Sequence, residues 1–167
     1  ADDPAIWHNV ANPDGSLIVA TDKKAGLHVY GLDGKSKSFD PAGRVNNVDL
    51  IYMGDAGIIV VASDRNDMAN AKLRLYRLDT VAAKLQPLGV VSGGSGEAYG
   101  VCLQREGGLI RAFSVLKPGR IEEFLIDPAT VTSKAERILQ VPTQTEGCVV
   151  DSRTSAVYIG EEDAGIW

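Results

Sequence analysis

The sequence predicts an all-β fold, part of a β-propeller, and three observations carry that prediction. Helical periodicity is nearly absent from the 167 residues. In its place stand short runs rich in Val, Ile, Leu and Tyr, broken every 6 to 12 residues by turn clusters such as Asn12-Pro13-Asp14-Gly15, Gly54-Asp55-Ala56-Gly57 and Glu106-Gly107-Gly108. The runs also recur in a fixed order: Pro4, Val48, Tyr99 and Glu146 mark equivalent positions, 44, 51 and 47 residues apart. Four short strands every 40 to 50 residues is the period of a propeller blade, a four-stranded antiparallel meander.

The first unit, residues 1–45, reads PAIWHN, SLIVATDKKAG, LHVYGLDG and KSKSF. The second, 46–96, reads VDLIYM, GIIVVASDRND, AKLRLYRLD and KLQPLG. The third, 97–144, reads YGVCLQ, GLIRAFSVLKPG, RIEEFLIDP and KAERILQ. The fourth, 145–167, offers EGCVVD, AVYIGEEDAG and IW, and is truncated. About three and a half four-stranded antiparallel blades leave a ring open, and a blade needs neighbours on both sides. The expectation is therefore a segment of a longer propeller, with further blades on at least one side.

A meander fixes which loops share an end. The entry to the first strand of each blade and the turn between its second and third strands lie at one rim; the other two turns lie at the opposite rim. The opposite rim receives ordinary turn chemistry: NPDG, LDGK, GDAG, REGG, DPAT and DSRTS. The first rim receives Asp2-Asp3, Lys23-Lys24, Asn46-Asn47, Asp64-Arg65, Glu97 with Tyr99, Lys117, Glu146 and Glu161-Glu162-Asp163. Solvated surface charge does not predict this segregation.

Composition narrows the function. With 17 basic and 22 acidic residues the net charge is −5, and no basic run or interleaved aromatic stripe supports nucleic-acid binding. The longest strongly apolar stretch, residues 57–62, is too short to cross a membrane. No C-x-x-C or Cys/His cluster suggests zinc. Cys102 and Cys148 lie in apolar runs, which predicts small buried thiols. His8 and His28 follow Trp7 and Leu27 in strand-like segments and read as surface or core packing residues rather than catalytic ones.

The rim mixes acids with isolated cations. Carboxylates arriving from separate blades suit a hard cation such as calcium, which takes six to eight oxygen ligands. Lys23, Lys24, Arg65 and Lys117 suit phosphate oxygens. A bound divalent cation would let a net-negative protein hold a polyanion. A non-enzymatic binding module, or another calcium-dependent propeller hydrolase such as a lactonase or phosphodiesterase, uses the same fold. The cation set separates the second of these, since a lactonase needs a metal and an acid–base group but not Lys23, Arg65 and Lys117 together. A binding module would carry apolar or aromatic rim anchors, and only Tyr99 qualifies.

The stretches ADDPAIW, ATDKKAGLHVYGLDGK, RVNNVD, ASDRND, EAYG, QTEG and EEDAGIW, in this order and spacing, resemble the β-propeller phytases. The resemblance covers essentially the whole chain. It implies a six-bladed ring and a secreted or periplasmic enzyme that works as a monomer. The implied reaction is stepwise, calcium-dependent hydrolysis of phytate, myo-inositol hexakisphosphate, by a metal-activated water. By this resemblance Asp2, Glu146 and Glu162 are calcium ligands at the cleft, and Asp3 serves a nearby structural calcium. Glu161 and Asp163 are neighbouring candidates for the metal. Lys23, Arg65, Tyr99 and Lys117 are the groups that hold substrate phosphates, with Glu162 beside them in the catalytic set; Lys24 and Asn47 are adjacent candidates. The sequence departs from the family pattern at Gly96, where the family often has Asn, and at Pro118-Gly119, which stiffens the loop after Lys117. The remaining acidic ligands of the family belong to other blades, so the isolated segment is expected to be inactive.

Overall fold

The structure is a computed structural model and describes residues 2–167. It contains fifteen strands in four antiparallel sheets, each ordered as the chain runs. The first sheet comprises β1 (Pro4–Trp7), β2 (Leu17–Asp22), β3 (Gly26–Gly31) and β4 (Ser36–Asp40). The second comprises β5 (Val45–Tyr52), β6 (Ile58–Asp64), β7 (Asn70–Asp79) and β8 (Lys84–Ser95). The third holds β9 (Ala98–Glu106), β10 (Leu109–Leu116), β11 (Arg120–Asp127) and β12 (Thr132–Gln140). The fourth holds β13 (Thr145–Asp151), β14 (Ala156–Glu161) and β15 (Gly165–Ile166).

The sheets stack face to face as propeller blades, and strand patterning shows why. All seven residues of β6 are buried. Its alternation sends Ile58, Val60 and Ala62 into a core shared with Val19, Leu27 and Val29 of the first blade. Ile59 and Val61 go the other way, into a core with Leu103, Ile110, Ala112 and Phe124 of the third. The same split recurs in β10, where Ile110 and Ala112 face the second blade while Phe113 and Val115 join Cys102 and Ile159 toward the fourth. A period-2 strand that is apolar on both faces is what a sheet sandwiched between two sheets requires. Outer strands lose this pattern: β12 is almost wholly exposed and carries Lys134, Glu136 and Arg137, charges that discourage edge pairing.

The first strands of successive blades lie side by side, β1 against β5, β5 against β9 and β9 against β13, and they define the inner wall. Two carboxylates tie this wall together. Val48 N–H donates to Asp3 Oδ2 at 2.7 Å, and Leu103 N–H donates to Asp49 Oδ2 at 2.9 Å. Backbones also approach closely: a Cβ on Gly100 would stand 1.8 Å from the carbonyl oxygen of Glu146, so only glycine fits there.

The cysteines differ from the sequence expectation of free thiols. Cys102 of β9 and Cys148 of β13 form a disulfide, with Cα atoms 5.7 Å apart. Each half looked apolar because it packs in the core between blades three and four; their juxtaposition depends on the blade stacking. His28 does pack, its ring 5.3 Å from that of Tyr30 and 4.5 Å from that of Phe39, and His8 is exposed. Among the described residues no helix is long and apolar enough to cross a membrane.

Candidate functional site

Inner-strand bulges build the rim. Pairing between β5 and β6 slips between Val45 and Val48, between β9 and β10 around Tyr99, and between β13 and β14 between Thr145 and Cys148. The extra residues are Asn46 and Asn47, Tyr99, and Glu146 with Gly147: the same place in three blades. A bulge twists the strand and re-aims side chains, here toward the mouth of the inner wall. The other contributors sit on equivalent turns between second and third strands: Lys23 after β2, Arg65 after β6, Lys117 after β10 and Glu162 after β14.

Two clusters result. In the first, Lys23 Nζ stands 2.9 Å from Asp2 Oδ2 and 3.4 Å from Glu146 Oε1, joining blades one and four across the mouth. The Asp2 hydrogen bond, followed by the charges of Glu146 and Asp2, holds the ammonium above the ordinary lysine range against the pull of burial. Asn46 is fully buried; its Nδ2 donates to Glu146 Oε1 at 2.9 Å and to Asn47 Oδ1 at 2.8 Å. Its own Oδ1 has no hydrogen-bond partner. Burial raises the Asp3 carboxyl, opposed by the Val48 hydrogen bond and reinforced by Asp2 and Glu146.

In the second cluster, Arg65 Nη1 lies 3.2 Å from Glu97 Oε1 and Lys117 Nζ lies 3.8 Å from Glu97 Oε2. The same two cations flank Tyr99, the guanidinium carbon at 5.6 Å and the ammonium at 5.2 Å from the ring centre, within cation–π range. Ser63 Oγ fixes Tyr99 by donating to its carbonyl at 2.7 Å. A shallow cleft of about 600 Å³ opens beside this group, lined by Glu97, Lys117, Thr143 and Gln144. A similar cleft of about 640 Å³ lies toward the opposite rim, where Glu123 pairs with both Arg111 and Arg137 and Arg111 also pairs with Glu106.

The acidic triplet is divided. Glu161 is buried: Thr143 donates to it through N–H at 2.6 Å and Oγ1 at 2.7 Å, and Trp167 Nε1 at 2.6 Å. These bonds, the Thr143 hydroxyl's first, hold its carboxyl below the usual glutamate range. It braces the turn. Glu162 is exposed and accepts from Gln144 Nε2 at 2.5 Å, next to the cleft that holds Lys117. Asp163 and Lys24 are exposed; the Lys24 N–H donates to Asp22 Oδ1. Among the described residues no three His, Cys, Asp or Glu side chains already stand in a metal-holding group. At the mouth the Lys23 ammonium occupies the gap between Asp2 and Glu146 instead.

Sequence reasoning placed Asn46 and Glu97 on this rim without a role, and it passed over Asp49. Asp49 lies on the inner wall with its carboxyl pushed up to about 6, first by burial and further by Asp3, while Leu50 and Leu103 N–H groups oppose the shift. The VNNVD stretch was its only signal.

Stacked antiparallel blades with bulge-borne polar groups gathered at one rim define a β-propeller with a mixed-charge mouth. A family model described as Phytase matches residues 1–167, and the chain belongs to that family. It is 37% identical over 180 residues to the 3-phytase of Bacillus subtilis (strain 168), an alignment covering all of this chain and 47% of that protein. The chain thus spans about half the length of that relative. Two solved structures share the fold at low identity. One is a glycoside hydrolase family 43 arabinoxylan arabinofuranohydrolase from Bacillus subtilis (TM-score 0.65, 11% identity, 93% of this chain and 41% of that one). The other is the Cps50 (Swd1) β-propeller domain of Myceliophteria thermophila (TM-score 0.61, 13% identity, 98% and 52%).

Proposed function

We propose that these blades supply much of the active-site rim of a calcium-dependent phytase, which hydrolyses myo-inositol hexakisphosphate to lower inositol phosphates and phosphate. The observation that carries this reading is that Lys23, Arg65 and Lys117, from three successive blades, stand on one rim, each in contact with a carboxylate. Hydrogen-bonded ammonium and guanidinium groups of this kind neutralise charge spreading over a transferring phosphoryl group.

The donor set at the mouth fits a hard cation. Asp2, Asp3 and Glu146 gather there with Asn46, whose Oδ1 is unpartnered, all oxygen donors, while Glu162 stands with Gln144 beside the neighbouring cleft. When bound, calcium supplies charge for the phosphate oxygens and lowers the pKa of a coordinated water. Lys23 then exchanges its carboxylate contacts for phosphate oxygens while remaining protonated at Nζ. Arg65 offers its planar fork, and the Tyr99 ring lies within cation–π range of both that fork and the Lys117 ammonium. Glu161 positions the turn that presents Glu162. Water rather than a protein group is the nucleophile. Both cysteines are committed to a disulfide, and neither histidine follows an arginine as in histidine-acid phosphatases. The disulfide also supports a secreted or periplasmic, oxidising location.

Phosphate release from phytate by the full-length protein tests the reading. Turnover is expected to vanish in excess chelator and return with calcium, and Lys23→Ala is expected to lower kcat/KM at least about a hundredfold by removing a charge-assisted contact to the transferring group. Turnover that persists in excess chelator excludes this mechanism.

A further inference from the structure

Glu97 is the only acid in the Arg65–Tyr99–Lys117 cluster, and it contacts both cations with separate oxygens. Its side chain is only 15% exposed, lying beneath cations that are 20% and 41% exposed. The backbone on either side is pinned. Gly96 N–H donates to the Ala69 carbonyl at 2.8 Å, and Lys117 N–H donates to the Glu97 carbonyl at 3.0 Å. Gly96 adopts φ +138, a conformation L side chains rarely enter, so a glycine is needed to turn Glu97 inward.

We propose that Glu97 is a positioning residue: it spaces Arg65 and Lys117 as a two-pronged clamp for neighbouring phosphate groups of one polyanion. This deepens the proposed function and rests on it. Two like charges beside one ring repel, and rotamer-rich Arg and Lys side chains would otherwise disperse into solvent. One carboxylate beneath them removes the repulsion and fixes their separation, yet leaves one net positive charge facing the cleft. A salt bridge serving only to join blades two and three needs one cation; this acid engages a second on the turn that also carries the cleft wall.

Charge and placement make opposite predictions for substitution. If charge alone mattered, removing the acid would tighten anion binding. If placement matters, it weakens it. In the full-length protein with calcium, Glu97→Ala is expected to raise KM for phytate about tenfold while kcat changes less than about threefold. Glu97→Gln, which keeps an acceptor for Arg65 but turns a donor toward Lys117, should fall between Ala and wild type. Calorimetric titration with myo-inositol hexakisphosphate should show the same order in Kd, with thermal midpoints within about 3 °C of wild type.

An unchanged or lower KM in both variants, in an enzyme that does release phosphate, overturns the clamp and leaves the function standing. Loss of more than about 5 °C in both variants makes Glu97 a structural brace and overturns it too. If wild type binds the hexakisphosphate without turnover and the variants bind more weakly, the clamp stands and the hydrolytic reading falls. If wild type neither binds nor turns over, both fall.

Discussion

Asp49 shows what the inner wall demands of single residues. Its carboxylate satisfies Leu50 and Leu103 N–H groups, but burial raises its pKa to about 6. A raised acid pKa means that the folded state holds the proton more tightly than the unfolded chain. Below about pH 4 both states are protonated and the group costs nothing. As pH climbs toward 6 the unfolded state ionises first and gains, so folding stability falls by as much as about 3 kcal/mol and then levels off. Asp49→Asn lacks this titration. Urea denaturation in chelator should therefore show the variant gaining on wild type between pH 4 and pH 7, whatever its fixed offset from changed hydrogen bonding. A difference that stays constant across that range would rule the ionisation cost out. At this scale the sequence was partly legible. Lys23, Arg65 and Lys117 could be placed on one rim because turn position alone sets their side. The partners could not be placed. Asp49 reaches Leu103 and Glu97 reaches Arg65 across a blade boundary, which no local pattern encodes.

Among the elements, the inner strands carry both the architecture and the chemistry. Their bulges fall where the polar residues leave the wall, so strand β5 serves core through Val48 and site through Asn46. Four-stranded units could be recognised from spacing because turn residues and apolar runs are local. The bulges could not, since an extra residue in a strand is visible only against its partner. The disulfide belongs to the same class of hidden facts: Cys102 and Cys148 are 46 residues apart and meet because β9 and β13 are adjacent inner strands. Closing a loop of that length restricts the unfolded chain, contributing about 4 kcal/mol on chain-entropy grounds. The paired variant Cys102→Ala with Cys148→Ala is expected to melt about 8 to 16 °C lower than wild type under oxidising conditions. Added reductant should lower wild type toward the variant without affecting the variant itself. Coincident melting curves for the two proteins would show that the stacking of blades three and four does not depend on this link.

For the whole molecule, the governing fact is that an acidic chain, net −5, concentrates opposing charges at one rim while its opposite turns stay ordinary. Asp2, Asp3 and Glu146 influence one another there, and among the described residues Lys23 is the only cation within contact of Asp2 and Glu146. An oxygen-lined mouth drawn from strands β1, β5 and β13 exists only when the blades are stacked, so a cation bound there binds the folded state and not the unfolded chain. Mass action then links occupancy to stability: calcium at a hundred times its Kd should add about 2.7 kcal/mol. For a chain of this size that is a rise of about 5 to 10 °C in thermal midpoint. Magnesium should do less, because it holds its water tightly and demands an octahedral cage that a ring of separately mounted carboxylates does not provide. Glu146→Gln should shrink the calcium-induced rise, since it removes charge from the one acid that also engages Lys23 and Asn46. Glu136→Gln, on the exposed outer strand β12, should leave it intact and control for bulk electrostatics. A midpoint indifferent to calcium, or one that magnesium raises equally, would mean that the rim's carboxylates serve only to hold Lys23, and the metal would have to be sought outside these four blades.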